Sequence, residues 1–357
     1  MIYLYFCLQI SIRHIMKKQK SKRFVAISCA VLVVVCAAAY WSLFTPFSSS
    51  SKTGTYIYID TDDTADSVYA KLAATAAANH LTSFRVAAAL SGYSGHVHPG
   101  CYETAGGVST LRLLRNLRSG RQTPVRLVVP AVRTMGDMAR RLSRQLAADS
   151  ASLAAAFSDS ALCATVDCSP ATLPCIFVPE TYEVLWTVSP DELVKRMKKE
   201  SDKFWNASRK GKAEKQGLSP QEVVTLASIV DQETANDAEK PMVAGMYLNR
   251  LRQGMKLQAD PTVKFALGDF GLRRILHEHL TVDSPYNTYR NAGLPPGPIA
   301  VPQISSIDAV LNAVRHDYLY MCAKEDFSGT HNFAVTYEEH LANAARYTRA
   351  LNERNIH

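Results

Sequence analysis

Two acids stand near the end of one helical pattern, Asp231 and Glu233, and their spacing gives them different surroundings. The run Ser219-Pro220-Gln221-Glu222 is a helix start. Ser219 can cap, Pro220 suits the first helical position, and Glu222 completes a capping box. In the VVTLASIVDQET that follows, Leu226, Ile229 and Val230 share one stripe, and Glu233 continues it at helical spacing. Asp231 turns away, so it is expected in solvent, with Glu233 at the edge of the apolar face. A carboxyl held against apolar surface has its charged form disfavoured and its pKa raised. Such a group can keep a proton near neutral pH and give it to a leaving oxygen. On spacing alone the plainer reading has the better claim: Glu233 closes the helix and pairs with an arginine such as Arg250.

The surrounding residues reverse that balance. The stretch LASIVDQETANDAEKPMVAGMYLNRLRQGMKLQADPTVKFALG resembles the catalytic core of endolytic murein transglycosylases, the MltG or YceG-like family. Further matches follow in the family's order. SPYNTYRNAGLPPGPIA is similar to its YNTY and GLPPGPI block. YLYMCAKEDFSGTHNF, with Thr336 and His340, is similar to its ending, and FVPETYEV upstream to its F-x-PDTY element. The likeness covers Phe177 to Tyr347 well. It is weaker over Gly100 to Leu146, where PGCYET and the next helical pattern look like the family's LysM-like module. One departure stands out: the family usually has Glu-x-Glu where this chain has Asp231-Gln232-Glu233. The second acid, the family's catalyst, is kept.

The resemblance implies an enzyme that cuts peptidoglycan glycan strands from within and ends their elongation, working beside glycan polymerases and transpeptidases. Glycoside cleavage commonly needs two carboxyl groups, whereas a lytic transglycosylase needs one. Glu233 would protonate the oxygen between N-acetylmuramic acid and N-acetylglucosamine. The muramyl 6-hydroxyl would then close on its own anomeric carbon, leaving a 1,6-anhydro end. Gln258 and Asp260 flank a turn before Pro261. Tyr286, Asn287, Thr288 and Tyr289 form one loop, and His331 and Asn332 follow a glycine turn. These are the candidate sugar-binding groups, with Arg250 and Asn249 in support. Each taken alone is equally a loop-stabilising hydrogen bond. Asp260 as a second carboxylate would make the enzyme a hydrolase, and a non-catalytic peptidoglycan-binding scaffold is the reading from another class. No cofactor is expected. No nucleotide loop or nucleophile elbow appears, and no cysteine spacing suits zinc.

The elements that must hold these residues are legible as an α+β chain. TYIYID alternates like a strand, and Ala65 to Leu90 is Ala-rich with helical spacing. GCYET reads as a strand, VSTLRLLRNLRSG as an amphipathic helix stopped near Gly120, TPVRLVVP as a strand and MGDMARRLSRQL as a helix. The expected organisation is a basic cytoplasmic tail (1–23), a transmembrane helix (24–44), a Ser-rich linker (45–54), LysM-like α/β modules (55–150), a junction (151–176) and a mixed α+β catalytic domain (177–357).

Charge supports the same layout. The net charge is +8, but residues 1–46 hold six basic residues and no acid, and the remainder has 34 basic against 32 acidic residues. A nucleic-acid binder would keep its basic patch in the folded part, so no nucleic acid is expected. Phe24 to Phe44 carries no charge over about twenty residues, the length a helix needs to cross a bilayer. Tyr40 and Trp41 stand near its outer end and KKQKSKR just before it. The positive-inside rule then puts the N-terminus in the cytoplasm and the chain after Thr45 outside the inner membrane. Cleavage at Ala37–Ala39 as a signal peptide is the alternative. Cys163, Cys168 and Cys175 could hold one disulfide in that compartment, although buried thiols are the preferred reading.

Overall fold

The computed structural model describes residues 2–47, 55–75, 78–105, 107–272 and 274–354. Most of the expected linker, 48–54, lies outside them. The chain divides into two compact units, one running to Val125 with Leu185–Thr187 added, the other taking Arg126–Val184 and the chain from Val188 on.

The first unit begins with α1 (Ile2–Phe44), whose stretch Lys22–Phe44 is long and apolar enough to cross a membrane, with mean hydropathy 2.4. Its apolar side chains are exposed, Phe24 and Trp41 among them, as lipid contact would require. β1 (Tyr56–Ile59), α2 (Ala65–Ala73), α3 (Ala78–Leu90), β2 (Gly100–Glu103) and α4 (Thr110–Ser119) follow. β1 and β2 are antiparallel, with Tyr56 opposite Glu103 and Ile59 opposite Gly100. The alternation in TYIYID sends Ile57 and Ile59 inward, onto Val68, Leu72, Phe84, Leu113 and Leu117. The Ala-rich stretch forms two helices rather than one. α4 is capped by Ser109 and ends at Gly120 in the left-handed conformation, φ 67°.

The second unit starts within β3 (Val125–Val128), at Arg126, and β3 pairs with β4 (Thr181–Val184). Between them lie α5 (Met135–Ser143), α6 (Ser150–Ser158) and α7 (Ser160–Ala164). TPVRLVVP and MGDMARRLSRQL therefore group with the segment Phe177–Val184, not with the N-terminal strands. After β4 come α8 (Pro190–Phe204), α9 (Ala207–Gln216), α10 (Pro220–Glu233), α11 (Lys240–Arg252), α12 (Asp260–Leu267) and α13 (Ile304–Leu311). An antiparallel hairpin, β5 (Tyr320–Ala323) and β6 (His331–Ala334), sets Tyr320 opposite Ala334 and Ala323 opposite His331. α14 (Tyr337–Glu353), capped by Thr336, packs on the hairpin.

α10 is the centre of this unit. Val223 to Val230 are buried without a break, because α11, α12 and α13 all pack on it. A helix buried on every side has lost the solvated face that a single apolar stripe would suggest. Ser228 Oγ helps seat it by accepting from Ile299 N at 3.0 Å, on a segment whose Gly297 passes so close to the Ala171 carbonyl that a Cβ would strike it. Cys101, Cys163, Cys168, Cys175 and Cys322 are all free thiols, so the disulfide weighed from their spacing is not formed.

Candidate active site

α10 starts as its sequence reads. Ser219 Oγ accepts from Glu222 N at 3.3 Å, and Glu222 Oε2 accepts from Ser219 N at 2.7 Å. Fourteen residues later the helix ends on Glu233, with Thr234 in extended conformation as its cap. Glu233 thus emerges where the buried helix meets open space. Its partner is the Tyr247 hydroxyl, from α11, which donates to Glu233 Oε1 at 2.6 Å. Tyr247 is 2% exposed.

The pairing of Glu233 with Arg250 does not occur. The Arg250 guanidinium is buried and spent on backbone: Nε donates to Leu319 O at 2.6 Å, Nη1 to Leu257 O at 2.7 Å and to Lys256 O at 3.2 Å. It pins the β5 entry and the 256–258 turn to α11. Asn249 does similar work, its Nδ2 donating to His316 O at 2.6 Å and Tyr318 O at 3.1 Å.

Asp231 corrects a second expectation. Its side chain is only 8% exposed and sits 3.2 Å from Lys240 Nζ, itself 1% exposed. Ser306, on α13, donates to the same carboxylate oxygen. Counting faces on an isolated helix missed this because α13 covers the face that Asp231 occupies.

A cleft of about 260 Å³ opens over Glu233. Glu233, Arg250, Gln258, Asp260, Tyr289 and His331 all line it, so six sequence-predicted residues from five segments meet there. Tyr289 donates to Asp260 Oδ1 at 2.6 Å. Gln258 has φ 50° in the left-handed region, held by its N–H on Thr288 O at 3.1 Å. His331 stands at 2.8 Å from Glu239 through Nδ1. Glu239 also accepts from the His331 backbone N–H at 2.7 Å, fixing ring and strand together.

Tyr286, Asn287, Thr288 and Asn332 are not among the lining residues. Asn287 is fully buried, its Nδ2 donating to Leu280 O at 2.9 Å and Val282 O at 2.8 Å. Thr288 is buried against Ala259 N and Thr262. Both shape the loop that presents Tyr289. Tyr286 packs at a tilt against Phe265, centroids 4.7 Å apart, and faces a separate hollow. Asn332 donates to Glu325 Oε2 at 2.7 Å, in keeping with the alternation that points His331 the other way. Sequence reasoning passed over Tyr247. It lies fourteen residues from Glu233, and only its place in the GMYLNRL motif marked it. Met246, Leu257 and the Met321–Ala323 strand, also in the lining, were not singled out either.

Burial pushes the Glu233 carboxyl up to about 7, against its ordinary 4.5. The Tyr247 hydrogen bond opposes that rise, the Asp260 charge adds to it, and Lys264 and Arg250 oppose it more weakly. Tyr289 and Tyr247 are themselves raised, first by burial, and so stay protonated donors. The result is one half-protonated carboxyl over a polar cleft, with a second carboxylate engaged by a tyrosine across it. That arrangement can give a proton and take one back at neutral pH. Among the described residues no group of three or more His, Cys, Asp or Glu could hold a metal ion.

Comparison with known proteins places this architecture. The model of the YceG-like family matches residues 57–346. An endolytic murein transglycosylase of Bacillus subtilis is 37% identical over 166 residues, 46% of this chain and 45% of its own length. One of Streptococcus pneumoniae is 31% identical over 179 residues, 48% of this chain and 32% of its own. The chain thus spans less than half the length of these relatives. The crystal structure of a yceG-like protein from Listeria monocytogenes superposes with a TM-score of 0.54 at 27% identity, covering 82% of this chain and 99% of that one.

Proposed function

The chain belongs to the YceG-like family, and from that premise we propose that it is a membrane-anchored lytic transglycosylase that cuts nascent peptidoglycan strands internally. Two relatives that bear the name endolytic murein transglycosylase support the substrate class. The observation that carries the reading is Glu233: a carboxyl raised by burial to about 7, hydrogen-bonded by Tyr247, and open to a polar cleft.

On this reading, taken from the family resemblance, the reaction runs through Glu233 in two halves. Protonated Glu233 gives its proton to the oxygen joining N-acetylmuramic acid to N-acetylglucosamine. The bond from the anomeric carbon to that oxygen breaks, and positive charge builds on the muramyl ring. The Glu233 carboxylate then takes the proton of the muramyl 6-hydroxyl as its oxygen bonds to the anomeric carbon. The proton lost in the first half returns in the second, and no water is consumed. An internal nucleophile already in place removes much of the entropic barrier. Tyr247 steadies the carboxylate between the two halves. The Asp260–Tyr289 pair, Gln258 and His331 orient sugar hydroxyls and N-acetyl groups, and Asp260 offers negative charge near the developing cation.

The same reading places the N-terminus in the cytoplasm and both folded units outside the inner membrane, takes the first unit as LysM-like, and sets the enzyme beside glycan polymerases and transpeptidases. Mass analysis of sugar ends after digestion of purified glycan tests the chemistry. Ends lighter by one water than a hydrolysed product are expected. Hydrated ends would assign the nucleophile to water instead.

A further inference from the structure

Adjoining the cleft, the second unit carries an arginine-lined groove that the chemistry above does not use. Three hollows, of about 350, 390 and 50 Å³, share Arg133 in their walls. The smallest is lined by Arg133, Gln232, Pro261, Lys264, Phe270 and Ile299. Gln232 and Pro261 are the chain neighbours of Glu233 and Asp260, so this hollow adjoins the reacting end of the cleft. Lys264 lies near enough to act electrostatically on Glu233.

Arg133 is held in place rather than left loose. Val132 and Val301 exchange backbone hydrogen bonds at 3.3 and 2.8 Å, which ties the segment to the core. Arg133 Nε donates to Gln232 Oε1 at 3.1 Å, and the guanidinium lies 5.6 Å from the Phe270 ring centroid. Neither Arg133 nor Lys264 has a carboxylate partner among the described residues. The nearby acids are engaged elsewhere: Asp231 with Lys240, Asp137 with Thr134 and Arg140, Asp260 with Tyr289. Two cations that line one hollow, neither held in an ion pair, can receive an anion, and a planar guanidinium suits carboxylate best.

Resting on the proposed reading, we infer that Arg133 and Lys264 form a subsite for carboxylates of the peptide stems that branch from the glycan strand. A strand lying across Glu233 must present its lactyl-linked peptide to one side of the sugar backbone, and this groove is the charged wall available there. The chain would then distinguish strands that carry acidic stems from stripped ones.

The test is binding of short glycan oligomers to full-length protein carrying Glu233→Gln, so that no strand is cut. Three oligomers are compared: stem-bearing, stem-bearing with its carboxylates amidated, and stripped of stems. The acidic stem is expected to tighten binding about tenfold over the stripped oligomer, as a charge-assisted contact allows. Adding Arg133→Gln and Lys264→Gln should bring the two within about twofold. Unchanged affinity for the stripped oligomer shows that the variant is folded. Equal binding of acidic and stripped oligomers by the parent, a contrast that survives both substitutions, or equal binding of acid and amide would each overturn the subsite. Cleavage by the protein with Glu233 intact is scored separately. Failure to cut any strand removes the enzymatic reading and leaves the binding result standing.

Discussion

Glu233 is set at the point where a fully buried helix ends, and its protonation behaviour follows from that position. A carboxyl that titrates at about 4.5 when unfolded and about 7 when folded makes the folded state hold an extra proton between those values. Stability from this group is therefore greatest below about pH 4.5, falls as pH rises through the window, and levels off above about 7. Glu233→Gln is expected to remove that slope in denaturant titrations. Its gain at neutral pH is bounded by about 3 kcal/mol, since one pKa unit is worth about 1.4 kcal/mol. Tyr247→Phe acts oppositely on the titration. It removes the hydrogen bond that favours the carboxylate, so the loss of kcat/KM at high pH should move to higher pH, with a fall of about tenfold at the optimum. An unmoved alkaline limb would mean that Tyr247 does not act on Glu233 in the working enzyme.

At the scale of elements, α10 is held by α11 and α13 as much as by its own apolar pattern. The Asp231–Lys240 pair is where this can be measured, since Lys240 is 1% exposed and Asp231 8%. Lys240→Met leaves a buried carboxylate unpaired and is expected to cost about 3–5 kcal/mol. Asp231→Asn added to it should restore a large part. A double-mutant cycle by urea unfolding checks both values. Start signals and periodicity made α10, α4 and the separate strands β1 and β2 legible, because capping boxes and strand alternation are local. They left the surroundings of Asp231 unread, because the covering helix lies some seventy residues on along the chain. The YNTY loop shows the same divide. Its motif flagged a functional loop, but which members face the cleft depends on how the turn folds. Tyr289 reaches the site, while Asn287 and Thr288 spend their polar atoms building it. Tyr247 had no local signal tying it to Glu233 at all.

For the whole molecule, the decisive feature is the apolar stretch Lys22–Phe44 preceding two folded units. The flanking basic cluster argues for cytoplasmic retention of the N-terminus. A reporter that is active only outside the cytoplasm, fused after His357, is expected to be active. Replacing the five basic residues of the KKQKSKR cluster with glutamine should lower that activity. A reporter active only in the cytoplasm would reverse the orientation and separate the site from its proposed substrate.

The most direct test of the account is strand cleavage by purified full-length protein with Glu233 intact and with Glu233→Gln, on the same glycan at neutral pH. Cleavage is expected to fall by at least about a thousandfold with circular dichroism unchanged. Comparable cleavage by the two proteins would mean that another group supplies the proton.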